Sequence, residues 1–474
     1  MTIERFKQLL EINPQDEQSI LKYFQPLETI EQKFSEVLED ISIDKWRPLD
    51  RDHRPDRSTG VAVLIGVIRS IIKQQQQHIF YLYSCIYIHT YMYINVMIYL
   101  CIKGPGKVVE LKYANHIRQY RDLEKGSAPL FDNAVKYYTD LGNHAVSNKH
   151  VIDLFACCLD QTGVAEQRTL VDHTGGVLVL SDTFRTSVFQ ESFSSLFMCN
   201  ATEELSMCFD AEIKVRTSRQ IKVNACLGPV TRITEKVKSN SVSNNTNEIG
   251  IGGTSKWSIG GIFPSTTFCF VFDIASNMTA DDTTDAAYIQ FQTTYKTSYG
   301  TNVTRVTTIG VALANINKTD GFNKVCENMD NDAVTVVMAR WAIHKADTEF
   351  MCPLMNWLDR EIIKFCRKVS TSQKNNVESF RMPNSLVKFP EAMYYLRRSQ
   401  FIHPNDYSLD ESAFFKCSLM RENIVNTMAM VQPLLYCYTL EDETMTPVNV
   451  ELEYSSRHSD VILLLDSFFH LVIW

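Results

Sequence analysis

The spacing of the apolar residues changes twice along this chain of 474 residues, and that succession restricts its fold more than any single motif. Up to about residue 206, apolar runs such as Val151 to Cys157 alternate with helical stripes such as Phe131, Val135, Tyr138 and Leu141. Strands and helices in alternation are typical of a sheet with helices on its faces. The first region, 1–206, is therefore predicted to be an α/β domain.

The second region, 207–318, has the two-residue spacing of strands. Ile213 and Val215, then Ile221 and Val223, alternate with polar residues on either side of Thr217-Ser218. This pattern predicts a hairpin with one solvated face. Aromatic and β-branched runs follow at 268–274, 288–295 and 303–309. Together they predict a β-sandwich or barrel.

From 319 to 440 the spacing is again helical, which predicts an all-α domain. The apolar stripes comprise Val325, Met329, Ala333, Val337 and Trp341; Leu354, Leu358, Ile362 and Phe365; and Met420, Ile424, Met428 and Val431. The last region, 441–474, ends in apolar residues at 461–465 and 468–474, which indicate strands at the start of a further domain.

One segment departs from the composition around it. From Ile79 to Ile102 there is no Asp, Glu, Lys or Arg, and six of the 20 Tyr of the chain lie there. A helix of this length could cross a bilayer, but Tyr in membrane helices concentrates at the interfaces, and His89 and Asn95 lie near the middle. We interpret 73–103 as an anomalous insertion; a translated intron, a genuine insertion and a membrane span remain open.

Charge and cysteine usage exclude several classes of protein. The 47 Lys and Arg against 55 Asp and Glu give a net charge of −8, which argues against a protein that binds nucleic acid through a generally basic surface. The 13 Cys include no C-x-x-C pair, so neither a zinc ribbon nor a thioredoxin motif can form. No apolar leader follows Met1. These features predict reduced thiols in a cytosolic protein.

No short motif predicts catalysis. The cluster from Gly250 to Thr254 lacks the spacing of a phosphate-binding loop, and a tight strand connection explains it better. Asp172 and His173 are adjacent, but the sequence has no G-x-S-x-G motif that would supply a nucleophile for them. A polar turn is therefore the favoured interpretation of this pair. Arg397 and Arg398 end a predicted helix, where paired cations usually complement the helix dipole. Contact with an acidic partner or acidic lipid is the sharper alternative for this pair.

Several strings, in order over much of the chain, resemble the family of GTPase-activating subunits of the inner COPII vesicle coat. These are Phe24-Gln25-Pro26, Arg57-Ser58-Thr59-Gly60, Leu159-Asp160-Gln161-Thr162-Gly163, Thr174-Gly175-Gly176, Thr217-Ser218-Arg219, Gly228-Pro229, Asn247-Glu248-Ile249-Gly250, Gly252-Gly253-Thr254, Arg305-Val306-Thr307-Thr308-Ile309, Met338-Ala339-Arg340, Trp357-Leu358-Asp359-Arg360, Leu396-Arg397-Arg398-Ser399, Asp410-Glu411-Ser412 and Gln432-Pro433-Leu434-Leu435-Tyr436. The cargo-binding sister subunit shares the architecture, but 247–254 and 396–399 resemble the activating subunit.

The resemblance implies a von Willebrand A-like trunk, a β-sandwich, a helical domain and a gelsolin-like domain, beside a zinc finger. It also implies the partners: the small Ras-like GTPase of the coat, the cargo-binding subunit as a heterodimer partner, the outer coat cage and an acidic membrane surface. The expected location is the cytosolic face of the endoplasmic reticulum and of COPII vesicles, in transport towards the Golgi. Such a protein is an activator and scaffold rather than an enzyme. The alternative is a membrane-anchored scaffold that uses 79–102.

Compared with the family, the sequence lacks the zinc finger, so no metal or other cofactor is expected in this chain. The trunk and the sandwich are expected to be incomplete, and only the start of the gelsolin-like domain is expected at 441–474. The catalytic arginine of the family, which stabilises transition-state charge in trans, is expected beyond Trp474. No arginine of this sequence is therefore assigned that role.

Overall fold

The computed structural model describes residues 92–97, 100–183, 186–196, 198–199, 205–234, 240–245, 249–275, 286–314, 319–373, 376–439 and 446–474. The strings at 24–26 and 57–60 lie outside these residues, as do parts of the string at 247–250. The architecture is the predicted one: an α/β region, a β-sandwich, a helical domain and a terminal sheet follow one another.

The α/β region is built on a parallel sheet. Its strands are β1 (Met92–Met97), β2 (Val151–Cys157) and β3 (Leu178–Ser181), in that order across the described sheet. The helices are α1 (Tyr120–Glu124), α2 (Pro129–Ser147), α3 (Val164–Thr174) and α4 (Ser187–Leu196). Strand β2 is buried along most of its length, as a continuous apolar run between covering layers requires. This confirms the predicted alternation of strand and helix.

Part of the uncharged segment is an element of this sheet. Residues 79–91 and 98–99 lie outside the described residues, but Met92–Met97 forms strand β1 and pairs in parallel with β2. Leu100, Cys101 and Ile102 are buried directly after it. Among the helices of the described ranges, none combines the length and the apolar composition needed to cross a membrane.

The sandwich places two sheets face to face. One contains β4 (Cys208–Thr217), β6 (Thr231–Arg232), β8 (Lys256–Ile262), β10 (Ala287–Lys296) and β11 (Asn302–Val311), in the order β11-β10-β4-β8-β6. The other has the order β7-β5-β9, with β5 (Ile221–Leu227), β7 (Ile251–Gly252) and β9 (Cys269–Ile274). Buried side chains of both sheets surround Trp257.

The predicted hairpin at Thr217-Ser218 is wrong, although both of its strands exist. Strand β4 pairs with β10 and β8, whereas β5 pairs with β7 and β9 in the facing sheet. Ile213, Val215, Ile221 and Val223 all enter the one core between the sheets. The alternation is therefore that of two strands facing a common core, because the turn carries the chain from one sheet to the other.

The helical domain comprises α5 (Thr319–Glu327), α6 (Asn331–Ala346), α7 (Met351–Val369), α8 (Phe389–Arg398), α9 (Leu409–Arg421) and α10 (Ile424–Val431). A two-stranded hairpin, β12 (Thr371–Gln373) and β13 (Asn376–Arg381), follows α7. The stripe of Leu354 and Leu358 lies in the core, as predicted.

Two details of the helical stripes differ from the prediction. The buried residues of α6 include polar Thr335 and Arg340, so this helix is enclosed on several sides. The apolar ones are Val336, Met338, Ala339, Ala342 and Ile343. The third stripe spans two helices rather than one, because Asn423 caps the start of α10 by accepting a hydrogen bond from the Asn426 N–H. A side-chain cap of this kind begins a new helix.

The terminal sheet has the order β15-β14-β16-β17, formed by β14 (Leu434–Thr439), β15 (Val448–Val450), β16 (Val461–Asp466) and β17 (Leu471–Ile473). The strands predicted at 461–465 and 468–474 are present. Strand β14 already belongs to this sheet, although it lies within the region 319–440 that the sequence assigns to the helical domain. Apolar side chains of β17 remain exposed.

Candidate functional site

The predicted pair Arg397 and Arg398 lies at the end of α8, and the two side chains have different surroundings. The Arg397 guanidinium donates to both carboxylate oxygens of Asp359, through Nε at 2.6 Å and a terminal nitrogen at 3.0 Å. Arg398 is exposed, with its guanidinium 3.7 Å from the centre of the Tyr394 ring. Arg397 is thus held within the helical domain, and Arg398 is the member of the pair that faces solvent.

Asp172 and His173 do not act together. Asp172 accepts a hydrogen bond from Arg168 Nε at 2.6 Å, and burial lowers the pKa of His173. Arg168 also donates to Asp347 of the helical domain through both terminal nitrogens, at 3.0 and 2.6 Å. Asp172 therefore orients an arginine that joins two domains, which agrees with a structural rather than a catalytic role.

The glycine cluster at 250–254 is a strand connection, as predicted. Ile251 and Gly252 form β7 against β5, and a Cβ added at Gly250 would lie 2.5 Å from the carbonyl oxygen of Cys226. Gly250 has φ +111°, a conformation that glycine adopts without strain. The sheet contact explains the glycine at this position.

A buried ionic cluster joins the α/β region to the helical domain. Arg118 donates to Glu166 at 2.5 Å and to Asp410 at 2.8 Å, and the three residues are at most 7% exposed. Asp410 also accepts the backbone N–H groups of Thr162, Gly163 and Ala165. The strings 159–163 and 410–412, both part of the family resemblance, meet in this cluster.

The pKa values of the two carboxyl groups of this cluster shift in opposite directions. Burial by itself would raise the pKa of Asp410. The positive charge of Arg118 and the backbone N–H donors have the larger combined effect, so the pKa of Asp410 is lowered. Burial dominates at Glu166 and raises its pKa, despite the attraction of Arg118. Asp410 has the larger number of hydrogen-bond donors around it.

Glycine backbones form the junction between the α/β region and the sandwich. Gly175, with φ +70°, ends helix α3, and an added Cβ would lie 2.2 Å from the carbonyl oxygen of Ile259. From the other side, a Cβ on Gly260 would lie 2.1 Å from the carbonyl oxygen of Thr174. Side chains are excluded where these backbones meet, which explains the string Thr174-Gly175-Gly176.

The third junction, between the sandwich and the helical domain, is held by a second buried arginine. The terminal nitrogens of Arg340 donate to the carbonyl and hydroxyl oxygens of Thr267, at 3.1 and 2.7 Å, and to the carbonyl oxygen of Glu422 at 2.5 Å. The neighbouring Arg421 donates to the carbonyl oxygen of Gly176. The C-terminus of α9 is therefore a point where all three domains meet.

A buried acid lies close to this meeting point. Asp153 on β2 is 1% exposed and accepts the Val177 N–H at 2.7 Å. Burial raises the pKa of Asp153 to about 7, although the Val177 N–H and Arg421 act in the opposite direction.

Across the ranges described above, no three His, Cys, Asp or Glu side chains converge in a way that could hold a metal ion. The buried arginines, carboxylates and glycines described above hold the domains to one another. The sequence predicted no role for Arg118, nor for Arg340, although Arg340 lies in the string Met338-Ala339-Arg340 of the family resemblance. The signal for Arg340 is visible in retrospect, because it is the single charged residue between Val334 and Ile343.

Comparison with known proteins agrees with these domains. The Sec23/Sec24 trunk domain matches residues 7–197, the Sec23/Sec24 beta-sandwich domain matches 208–314, and the Sec23/Sec24 helical domain matches 330–429. A solved structure, the human COPII-coat protein Sec24c, superposes with a TM-score of 0.64 at 17% identity. The match covers 81% of this chain and 47% of that one, and at this identity it establishes the fold alone.

Proposed function

The chain belongs to the Sec23/Sec24 family of COPII inner-coat proteins, and from that premise we propose that it is a subunit of the GTPase-activating type. The supporting observation is that strings of the family resemblance meet in space. The backbone N–H groups of Thr162 and Gly163 donate to Asp410, Thr174 and Gly175 lie against Ile259 to Gly261, and Arg397 is paired with Asp359. The first two contacts join the α/β region to the helical domain and to the sandwich, and the third lies within the helical domain.

The choice of the activating type over the cargo-binding type rests on the sequence. The runs 247–254 and 396–399 resemble the activating subunit, and Ile251 and Gly252 of the first run pair with strand β5 of the sandwich. The similarity to Sec24c concerns the fold that both types share, so it does not favour either. The chain is proposed to act as an activator and scaffold rather than as an enzyme.

In this proposal the chain binds the small Ras-like GTPase of the coat, pairs with a cargo-binding subunit through the trunk, and contacts the outer cage. It would lie on the cytosolic face of the endoplasmic reticulum and its vesicles, in contact with acidic lipid. Buried contacts join the three domains of the described chain, which suits a scaffold that holds several partners.

Binding to the coat GTPase tests the proposal. The GTPase would be immobilised in two forms, one loaded with GDP and one with a GTP analogue that is not hydrolysed, and the purified chain would be passed over both. The proposal predicts binding to the GTP form at least about tenfold tighter than to the GDP form, as a nucleotide-dependent partner requires. Equal binding to both forms, or none, would count against it.

A further inference from the structure

One peptide group connects a buried acid to a buried base. The Val177 N–H donates to Asp153 Oδ1 at 2.7 Å, and the Gly176 carbonyl oxygen of the same peptide group accepts a hydrogen bond from Arg421. Asp153 belongs to strand β2 of the α/β region, and Arg421 is the last residue of α9 in the helical domain. Hydrogen bonds in such a chain polarise one another, so the charge at one end affects the other.

Both ends of this connection keep unused hydrogen-bonding atoms. Asp153 is buried, and its Oδ2 has no partner among the described residues. Nε and the second terminal nitrogen of Arg421 are also buried and have no partner there, so no direct hydrogen bond joins the two side chains. The charge of Arg421 nevertheless acts to lower the pKa of Asp153. The two groups thus attract each other and have free atoms with which to form a direct pair.

The other groups around Asp153 leave Arg421 as its partner in charge. β1, β3 and the sandwich approach this part of β2 with uncharged residues, namely Ile94, Leu178 and Gly261. On α9, burial raises the pKa of Cys417 to about 12, so this thiol is neutral near pH 7. Asp172 and His173 lie at the end of α3 and do not contribute to the pKa shift of Asp153. Of the described charged residues, Arg421 alone acts on this carboxyl group.

The end of α9 carries this connection on to the sandwich. The carbonyl oxygen of Arg421 accepts the N–H of Thr267 at 2.9 Å. The next carbonyl oxygen, that of Glu422, accepts the Thr267 hydroxyl group at 2.6 Å and also a terminal nitrogen of Arg340. Because hydrogen bonds depend steeply on geometry, a displacement of the end of α9 weakens these contacts as well.

We propose that Asp153 and Arg421 form a proton-sensitive switch at the junction of the three domains. When Asp153 is ionised, its charge holds Arg421, and with it the end of α9, against the Gly176–Val177 peptide group. When Asp153 takes up a proton, that charge is lost and the contact between β2 and α9 loosens. The coupling is reciprocal: the ionised acid favours Arg421 in place by the same factor by which Arg421 in place favours ionisation.

Burial places the range of the switch close to neutral pH. It raises the pKa of Asp153 to about 7, although the Val177 N–H and Arg421 act in the opposite direction. Ionisation therefore lowers the stability of the fold as a whole, and the attraction to Arg421 offsets part of that loss. A rise in pH towards 7 tightens the local contact with α9 while it lowers the free energy of unfolding.

Hydrogen exchange at two backbone amides of the full chain tests the switch. The Val177 N–H donates to Asp153, and the Thr267 N–H donates to the Arg421 carbonyl oxygen. After correction for intrinsic exchange, Val177 should be protected about fivefold more at about pH 8.5 than at about pH 5.5, because hydrogen bonds to ionised groups are stronger. Thr267 should change in the same direction. Exchange through global unfolding would change in the opposite direction, since ionisation of Asp153 destabilises the whole fold.

Three variants separate the roles of the acid and the arginine. Asp153→Asn cannot ionise, so the pH dependence of both amides should disappear. Arg421→Gln removes the positive charge, so the change at Thr267 should disappear. In that variant the midpoint of the change at Val177 should rise by about one pH unit or more, because an opposite charge no longer favours ionisation. Arg421→Lys keeps the charge and should restore a midpoint close to that of the wild type.

Arg168→Gln is the matched control. Arg168 also joins the α/β region to the helical domain, through Asp347, but it does not act on Asp153. This variant should leave the midpoint of the change at Val177 where it is in the wild type.

Three results would overturn the switch. The first is wild-type protection of Val177 that is unchanged or falls as pH rises. The second is a midpoint that Arg421→Gln leaves in place, and the third is a midpoint that Arg168→Gln moves as far as Arg421→Gln does. The exchange measurements need none of the proposed partners, so their outcome is separate from that of the GTPase-binding experiment.

Discussion

Arg118 of the trunk donates a hydrogen bond to Asp410 of the helical domain at 2.8 Å, across 292 residues of sequence. Asp410 also accepts three backbone N–H groups at the start of α3, so one carboxylate serves both domains. A buried carboxylate with four donors stabilises a unique relative position of the domains only while every donor remains satisfied.

Replacing Asp410 with Ala should therefore be strongly destabilising. The change leaves the Arg118 charge and three N–H groups buried with fewer partners, and we expect a loss of about 3–5 kcal/mol in the free energy of unfolding. Urea denaturation followed by circular dichroism measures it. Asp359→Ala is the control: its pair with Arg397 is about one-third exposed on each side, and it should cost no more than about 1 kcal/mol. Equal losses in the two variants would contradict the account of the junction.

The glycine junction gives a second prediction. Gly260→Ala places a Cβ 2.1 Å from the Thr174 carbonyl oxygen and also strains a residue at φ +74°. Gly126→Ala strains a residue at φ +65° but meets no atom within 4 Å. The Gly126 variant should cost about 1 kcal/mol and the Gly260 variant several times more, since the backbones there must separate. Thermal unfolding of both proteins measures the difference, and similar melting temperatures would be the contrary result.

Asp153 makes stability depend on pH. Its pKa is raised to about 7 in the folded protein, above the ordinary value of an aspartate. Between about pH 4 and 7 unfolding therefore releases its proton, so this group makes stability fall as pH rises, by up to about 1.4 kcal/mol per pH unit. In Asp153→Asn the side chain cannot ionise, and its carbonyl oxygen can still accept the Val177 N–H.

The stability of the Asn variant relative to the wild type should accordingly increase from pH 5 to pH 8. Denaturation midpoints at several pH values would show it. A difference between the two proteins that stays constant over this range would mean that Asp153 is ionised throughout.

Arg340 provides the test of the junction between sandwich and helices. Lys at this position keeps the positive charge but lacks the planar fork that reaches both Thr267 and Glu422. We expect Arg340→Lys to lower stability by about 2 kcal/mol, because buried carbonyl and hydroxyl oxygens lose their donors. Limited proteolysis should then cut more readily between the sandwich and the helical domain. Unchanged proteolysis would show that Arg340 does not hold the two together.

The sequence predicted the elements better than their partners. The spacing of Phe131 and Tyr138 identified helix α2, because periodicity is a local property that survives folding. The same reasoning failed at Thr217-Ser218, where two strands with identical alternation enter different sheets. The alternation of apolar and polar residues shows which side chains of a strand face the core. It does not show which other strand is hydrogen-bonded to that strand.

The junctions were harder still to predict. Asp410 has the same local sequence character as any acidic residue near a helix start, and its partner Arg118 lies 292 residues away. The string Thr174-Gly175-Gly176 was recognised through the family resemblance, but its physical cause became visible only where Gly260 faces it. Arg397 was identified as a candidate for external contact, yet its carboxylate partner Asp359 lies within the same domain.

Selective pairing tests the central claim most directly. The purified chain would be mixed in turn with a cargo-binding subunit and with an activating subunit of the inner coat, and each mixture would be analysed by size-exclusion chromatography with light scattering. A subunit of the activating type is predicted to form a one-to-one complex with the cargo-binding subunit and none with the activating subunit. Complex formation with the activating subunit instead would contradict the account.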